Sequence, residues 1–172
     1  SNVASDALSH LSSVGVLGGS LIIIGEDYGE GSSIIQERTH GIALKSTIWF
    51  MDPRPNLQVI VDTVQKAFEL SEYSYSPVMM QLRIRACHLQ GTFITKDNIK
   101  PNISSINKIT EVAPHNYDLI AHPPSTYAQE KLKYGQRAEL AKHYVADNSL
   151  NEFFEGTIKE VALIVQGGLY NN

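Results

Sequence analysis

The spacing of apolar residues changes several times along this chain, and each change predicts a different element. Val3, Ala7, Leu8 and Leu11 recur at intervals of three and four, the spacing of one helix face, so residues 2–13 are predicted helical. Gly15 and the pair Gly18-Gly19 end that helix. Ser20 to Gly25 reads Ser-Leu-Ile-Ile-Ile-Gly, short and continuously apolar, the pattern of a strand covered on both faces in a parallel sheet. An acidic, glycine-rich turn follows from Glu26 to Gly31. Ser32 or Ser33 then stands where a side-chain oxygen can cap a helix reaching about Lys45, with Ile34, Ile35, Ala43 and Leu44 as its apolar positions. Thr47 to Met51 predicts a second strand, stopped by Asp52-Pro53-Arg54-Pro55, because two prolines fix the backbone and remove ladder donors. Asn56 caps the clearest helix, in which Leu57, Ile60, Val61, Val64 and Phe68 keep the helical period through about Tyr73. Pro77 restarts the chain in a third strand, residues 78–84.

Strand, helix, strand, helix, strand predicts an α/β fold with a parallel sheet flanked by helices. Residues 92–124 lose the periodicity and are rich in Asn, Pro, Lys, Ser and Thr, so they read as a connector over the surface. A long helix is expected from Ser125 to about Val145, with Tyr127, Lys131, Tyr134, Ala138, Ala141 and Val145 on one face. Glu160 to Gln166 predicts one more buried-type strand before Gly167-Gly168. The expected division is residues 1–92 as one domain, 93–157 as connector and long helix, and 158–172 as a last strand opening a further unit.

Composition removes several function classes. The 172 residues are 42% hydrophobic and 19% charged, an ordinary globular balance. A net charge of −4 with scattered basic residues argues against nucleic-acid binding, which needs clustered Lys and Arg. No apolar run approaches the length of a membrane span, and no signal peptide opens the chain. Cys87 is the single cysteine, which precludes an internal disulfide or a cysteine-held iron–sulfur cluster and points to a reducing, cytoplasmic setting. The histidines His10, His40, His115, His122 and His143 lack metal-ligand spacing.

Two segments carry candidate chemistry. Residues 25–33 read Gly-Glu-Asp-Tyr-Gly-Glu-Gly-Ser-Ser and lie between a strand's end and a helix's start, where open α/β sheets bind ligands. Glu26, Asp27 and Glu30 make the loop negative and so unsuited to a bare phosphate. A capped acidic turn with no ligand is the competing reading. The second segment is Arg83-Ile-Arg85-Ala-Cys87-His88, where strand alternation sends Arg83 and Arg85 to one face to meet an anion or an acidic loop; a salt-bridged strand end is the alternative. Cys87 and His88 would point to opposite faces and so form no nucleophile pair. Tyr127, Tyr134 and Tyr144 read as packing residues. These residues alone name no reaction.

Several segments together resemble the α chain of indolepyruvate:ferredoxin oxidoreductases. Asn2-Val-Ala-Ser-Asp-Ala-Leu8 is similar to the family's NVAADPL stretch, and residues 15–24 to its GVxGGLVVV pattern. Residues 25–33 correspond to GDDPGxHSS, and residues 67–72 with Pro77-Val78 to AFELSE and PV. Residues 165–171 are similar to the start of the family's transketolase-C-like domain. The likeness covers residues 2–92 and the end of the chain, and is thin over the connector.

The resemblance implies oxidative decarboxylation of a 2-oxoacid to an acyl-CoA on thiamine diphosphate with Mg²⁺. Electrons would leave through iron–sulfur clusters, held elsewhere in the enzyme, to ferredoxin or another acceptor. It makes this chain the later part of a pyrimidine-binding (Pyr) domain. The family's cofactor-activating glutamate lies upstream of the Asn2-Val3-Ala4 segment, and the diphosphate and Mg²⁺ belong to a partner domain. The chain is therefore expected to hold no catalytic residue and to be inactive alone, its partners being the remaining domains of a homo-oligomeric enzyme. Asp27, Ser32, Ser33, Gln36 and Glu37 are the implied cofactor-side contacts, and Arg38 and Arg85 the substrate-side candidates. The departures, Ile34 to Arg38 in place of a polar QNEQD run and Tyr28 and Glu30 in the loop, leave the substrate open. The main alternative is a non-catalytic α/β binding or assembly module; a lesser one is a stand-alone enzyme using the loop at 26–33.

Overall fold

The computed structural model describes residues 2–26, 38–99 and 115–170. Three parallel strands, β1 (Leu21–Glu26), β2 (Trp49–Met51) and β3 (Val78–Arg83), form a sheet in the order β1-β3-β2. The register sets Leu21 beside Val78 and Glu26 beside Arg83 on one side, and Trp49 beside Val78 and Met51 beside Met80 on the other. The α/β expectation therefore holds, with β3 as the central strand.

Helices cover both faces. On one, α1 (Asn2–Val14) and α2 (Thr39–Ser46) bring Leu8 and Ala43 onto Met79, Ile22, Ile24 and Phe50. On the other, α3 (Leu57–Ser74) and α6 (Ala138–Asp147) bring Ala67, Leu70, Ala141 and Tyr144 onto Val78, Leu21, Trp49 and Met51. Strand alternation explains the split: successive residues of β3 face opposite layers, and Val78, Met79 and Met80 are all fully buried. Each such side chain contributes roughly 1.5–3 kcal/mol of apolar burial. The fully covered strand is β3, whereas β1 is an edge strand whose Ile23 is 56% exposed. Coverage of β1 on both faces was the expectation; Ile22 and Ile24 are covered on the α1–α2 side, and the exposure of Ile23 on the other side corrects it.

Local chemistry sets most boundaries. Asn56 Oδ1 accepts the Val59 N–H at 3.1 Å and starts α3 as predicted. Buried Ser71 joins the end of α3 to both neighbouring strands, accepting from Ser20 N at 2.9 Å and donating to Ser76 O at 2.7 Å. The described part of the second predicted helix starts at Thr39, and Leu44 turns to solvent while Ala43 is buried. In α3 the most buried positions are Ala67, Leu70, Ser71 and Ser74, and Phe68 lies on the flank.

The long C-terminal helix is present but interrupted. α5 (Ser125–Leu132) and α6 are joined by a wide turn, Lys133–Arg137, with Gly135 at φ −99° and ψ −106°. A wide turn inserts extra backbone and rotates everything after it relative to a straight helix. Of the expected face, Tyr127, Lys131 and Tyr134 are exposed, whereas Ala141 is buried and Val145 packs on the core; Gln129, Arg137 and Tyr144 are the other buried positions. The rotation carries the chain from α1, against which α5 rests through Ser13 and Glu130, to the α3 layer.

Arg137 occupies that turn and is 6% exposed. Its guanidinium donates to Ser13 O at 2.6 Å and Gln129 O at 2.9 Å, and more distantly to Ser12 O and Tyr75 O. Those carbonyls end α1, lie on α5 and follow α3, so one side chain ties three helices together beside the amino end of the sheet. Burial pushes its pKa below the ordinary arginine value, with the Glu130 charge opposing, and the group stays charged. Gly15, at φ 79°, lets the chain leave α1 directly against this guanidinium, where a Cβ would collide with Arg137 Nη1 and the Tyr75 carbonyl.

The expected strand over Glu160 to Gln166 is not formed. The segment pairs with none of the described strands, and Val161, Leu163, Ile164 and Val165 are exposed.

Replacing Arg137 by Met removes the guanidinium's donors from the Ser12 and Ser13 carbonyls and its bonds to Gln129 and Tyr75, and we expect a loss of about 3–5 kcal/mol in urea denaturation. Arg137→Lys should recover less than half, since an ammonium lacks the planar fork. A loss below about 1 kcal/mol would show that the arginine is not the tie described. A second prediction concerns Tyr144, whose hydroxyl donates to Glu69 Oε2 at 2.7 Å. That bond, then one from Gln65, holds the Glu69 carboxyl below its ordinary 4.5, while burial and then Glu69 raise the Tyr144 hydroxyl above its ordinary 10. The contribution is thus complete between these two ordinary values. It is lost as pH falls through the lowered Glu69 value or rises through the raised Tyr144 value. Tyr144→Phe should cost about 1 kcal/mol at neutral pH and progressively less below the ordinary carboxylate range; an equal cost at both acidities would contradict this.

Candidate functional site at the carboxyl end of the sheet

Parallel strands all end on one side, and here that side is polar. β1 ends at Glu26, β2 is followed by Asp52, and β3 ends at Arg83. Each is held by an interaction that its place in the sheet dictates.

Glu26 is 6% exposed, and its two carboxylate oxygens both accept the Thr39 N–H, at 3.1 and 3.0 Å. Thr39 is the first residue of α2, so the carboxylate sits at a helix amino terminus, where unpaired N–H groups and the helix dipole favour an anion. The bond also pins together the two ends of the segment between them. Residues 27–37 are outside the described residues, and with them lie Asp27, Ser32, Ser33, Gln36 and Glu37. What the structure contributes there is the base of the loop: Glu26 on one side and Arg38, the residue before α2, on the other. Arg38 is exposed and makes no capping bond through its side chain. Glu26, read from sequence as one acid of a free turn, is a buried helix cap.

Arg83 donates to Asp52 Oδ2 from Nε at 3.1 Å and from Nη2 at 2.8 Å, with both side chains largely buried. The salt-bridged alternative for this strand end is the correct one for Arg83. The strand stops there, and Ile84–Cys87 turns into a short helix, α4, so Arg85 does not share the Arg83 face. Strand alternation fails because the backbone after Arg83 is helical. Arg85 and Cys87 are exposed, and the Cys87 thiol lies 3.6 Å from the Leu82 carbonyl. Arg83 Nη2 also donates to Gln166 Oε1 at 2.6 Å, and the Arg54 guanidinium lies 4.9 Å above the Tyr170 ring. Gly167 and Gly168 lie so close to Asp52 and Arg83 that a Cβ on either would collide with them. The C-terminal segment thus crosses the ends of β2 and β3.

One residue of this region escaped the sequence reading. Gln81 stands in the central strand, 1% exposed, and neither its Oε1 nor its Nε2 has a hydrogen-bond partner. By alternation it shares the face of Met79 and Arg83, two positions from the strand's end. The signal was available: a single amide interrupts an otherwise apolar run, Pro-Val-Met-Met-Gln-Leu. Asp52 Oδ1 is likewise buried without a partner. Among the described residues no group of three or more His, Cys, Asp or Glu is arranged to hold a metal ion, and no helix is long and apolar enough to cross a membrane.

The chain is 30% identical over 93 residues to the indolepyruvate oxidoreductase subunit IorA of Pyrococcus horikoshii, covering 54% of this chain and 14% of that protein. The subunit of the same name from Pyrococcus abyssi is 31% identical over the same lengths. That of Methanothermobacter marburgensis is 22% identical over 171 residues, 99% of this chain and 26% of that protein. The chain therefore spans about a quarter or less of the length of these curated relatives. No family model and no solved structure matches it.

Removing the Glu26 carboxylate should loosen the loop base. We expect Glu26→Ala to cost about 1–2 kcal/mol, the range of a lost helix cap at a partly buried site, and to speed protease cleavage within residues 27–38. Glu26→Gln, which keeps one acceptor but no charge, should fall between. Unchanged stability together with unchanged cleavage would refute the clamp.

Proposed function

We propose that this chain is the later part of the pyrimidine-binding domain of a thiamine-diphosphate-dependent 2-oxoacid oxidoreductase of the indolepyruvate type. In that reading the whole enzyme oxidatively decarboxylates a 2-oxoacid to an acyl-CoA and delivers electrons through iron–sulfur clusters to ferredoxin or a similar acceptor. The observation that carries it is the similarity to IorA subunits together with a parallel sheet whose carboxyl end is polar. The share of the relatives that is covered supports partners in the form of further domains or subunits, and the reading adds a homo-oligomeric, cytoplasmic enzyme.

The described residues fit one side of the cofactor. An aminopyrimidine carries a donor beside an acceptor, which an unpartnered buried amide such as Gln81 complements. The diphosphate and Mg²⁺ are assigned to other parts of the enzyme. When bound, the thiazolium supplies the electron sink for decarboxylation. This chain's contribution is positioning: Glu26 holds the base of the loop, Asp27, Ser32, Ser33, Gln36 and Glu37 face the cofactor, and Arg38 and Arg85 meet the substrate carboxylate.

The test uses the full-length chain with its natural partners, a panel of 2-oxoacids and an artificial electron acceptor. We expect 2-oxoacid-dependent reduction, and Asp27→Ala to lower turnover at least tenfold while its melting temperature stays near wild type. An exposed carboxylate with no functional contact would change stability within roughly 0.5 kcal/mol and leave turnover alone. Absence of reduction with every 2-oxoacid would favour a non-catalytic assembly module.

A further inference from the structure

Gln81 is an anomaly in its strand. It follows Val78, Met79 and Met80, all fully buried, and is itself 1% exposed. Ile24, its register neighbour in β1, belongs with Met79 and Ile22 to the apolar cluster under α1 and α2. Burying an amide without a partner forfeits its bonds to water and gains none in return. Methionine has nearly the same length and volume, has no polar atoms to satisfy, and already occupies the two preceding positions. Packing alone therefore favours methionine here. Where a sequence breaks a local rule without a structural gain, a functional requirement is the natural cause.

The position of the amide shows what the requirement is. Gln81 lies two residues before the end of β3, about 7 Å along the strand from Arg83. Alternation puts it on the same face as Arg83, at the carboxyl end where parallel sheets bind ligands. Its side chain has three torsions, and since the amide makes no hydrogen bonds where it lies, turning toward the sheet end breaks none. A ligand arriving there would give the amide the bonds it lacks. One carbonyl and one NH₂ side by side read a donor adjacent to an acceptor.

We propose that Gln81 is a ligand-reading residue: its amide turns toward the carboxyl end of the sheet and pairs with a donor–acceptor edge of the bound ligand, such as that of an aminopyrimidine. The ligand named rests on the function proposed above, whereas the orphaned amide does not.

Two measurements on the full-length protein test this. In thermal melts without ligand, Gln81→Met should raise the melting temperature by at least 2 °C, because the unpaired amide is gone. In calorimetry with thiamine diphosphate and Mg²⁺, the same variant should bind at least tenfold more weakly than wild type, and Gln81→Asn, with a shortened reach, should also weaken binding. A lower melting temperature for Gln81→Met would assign the amide a structural role and overturn the inference. So would unchanged affinity in both variants while wild type binds. Failure of wild type itself to bind thiamine diphosphate would overturn the cofactor assignment and the function reading together, a result distinguishable from failure of Gln81 alone.

Discussion

The fold depends on a buried guanidinium. The C-terminal helix has to pass from the α1 side of the sheet to the α3 side, and it does so in one wide turn that delivers Arg137 to carbonyls from α1, α5 and the end of α3. The Tyr75 carbonyl also accepts the Val16 N–H and the Gln129 carbonyl the Lys133 N–H, so the arginine matters most to the Ser12 and Ser13 carbonyls at the end of α1. A buried charge is costly unless it is hydrogen-bonded in several directions, so the arginine and the three helices hold one another in place. If α1 peels away, the guanidinium loses the Ser12 and Ser13 carbonyls, and if the wide turn leaves, those carbonyls lose its donors.

The sheet's two ends are therefore unlike. The amino end is knit by a many-sided network around Arg137, Ser71 and Tyr75. The carboxyl end is built of separate pairs, Glu26 with Thr39 and Arg83 with Asp52, beside buried atoms of Asp52, Arg54 and Gln81 that have no partner. Arg137 Nε and Gln129 Oε1 are also buried without a partner, so the two ends differ in how many carbonyls one side chain gathers and not in having every polar atom satisfied.

Much of the architecture was legible in the sequence because local rules agreed with the global fold. Continuous apolar runs marked β1 and β3, Asn56 marked the start of α3, and paired prolines ended β2. The failures have physical causes. No spacing rule foretells a wide turn, so one continuous face could not fit both halves of the C-terminal helix: Ala141 and Val145 meet the core as expected, whereas Tyr127 and Lys131 before the turn are exposed. The helical turn at Ile84 undid the alternation that joined Arg83 with Arg85. The apolar stretch at Val161 to Val165 has a strand's composition, but a strand needs a neighbour. At the site, residue types were informative and partners were not: nothing in the sequence pairs Glu26 with Thr39 across twelve intervening residues. Gln81 was visible as a polar residue in an apolar run, but its isolation is a property of three dimensions.

The Glu26–Thr39 bond has an evolutionary consequence. It fixes where the intervening segment leaves the sheet and where it enters α2. The entropy of closing a chain segment between two fixed ends grows only logarithmically with length, and doubling the residues would add only about 0.6 kcal/mol. Insertions, deletions and changes of charge can therefore accumulate between the two pinned residues at little cost to folding. Divergent descendants can explore new ligands there while inheriting the same scaffold unchanged.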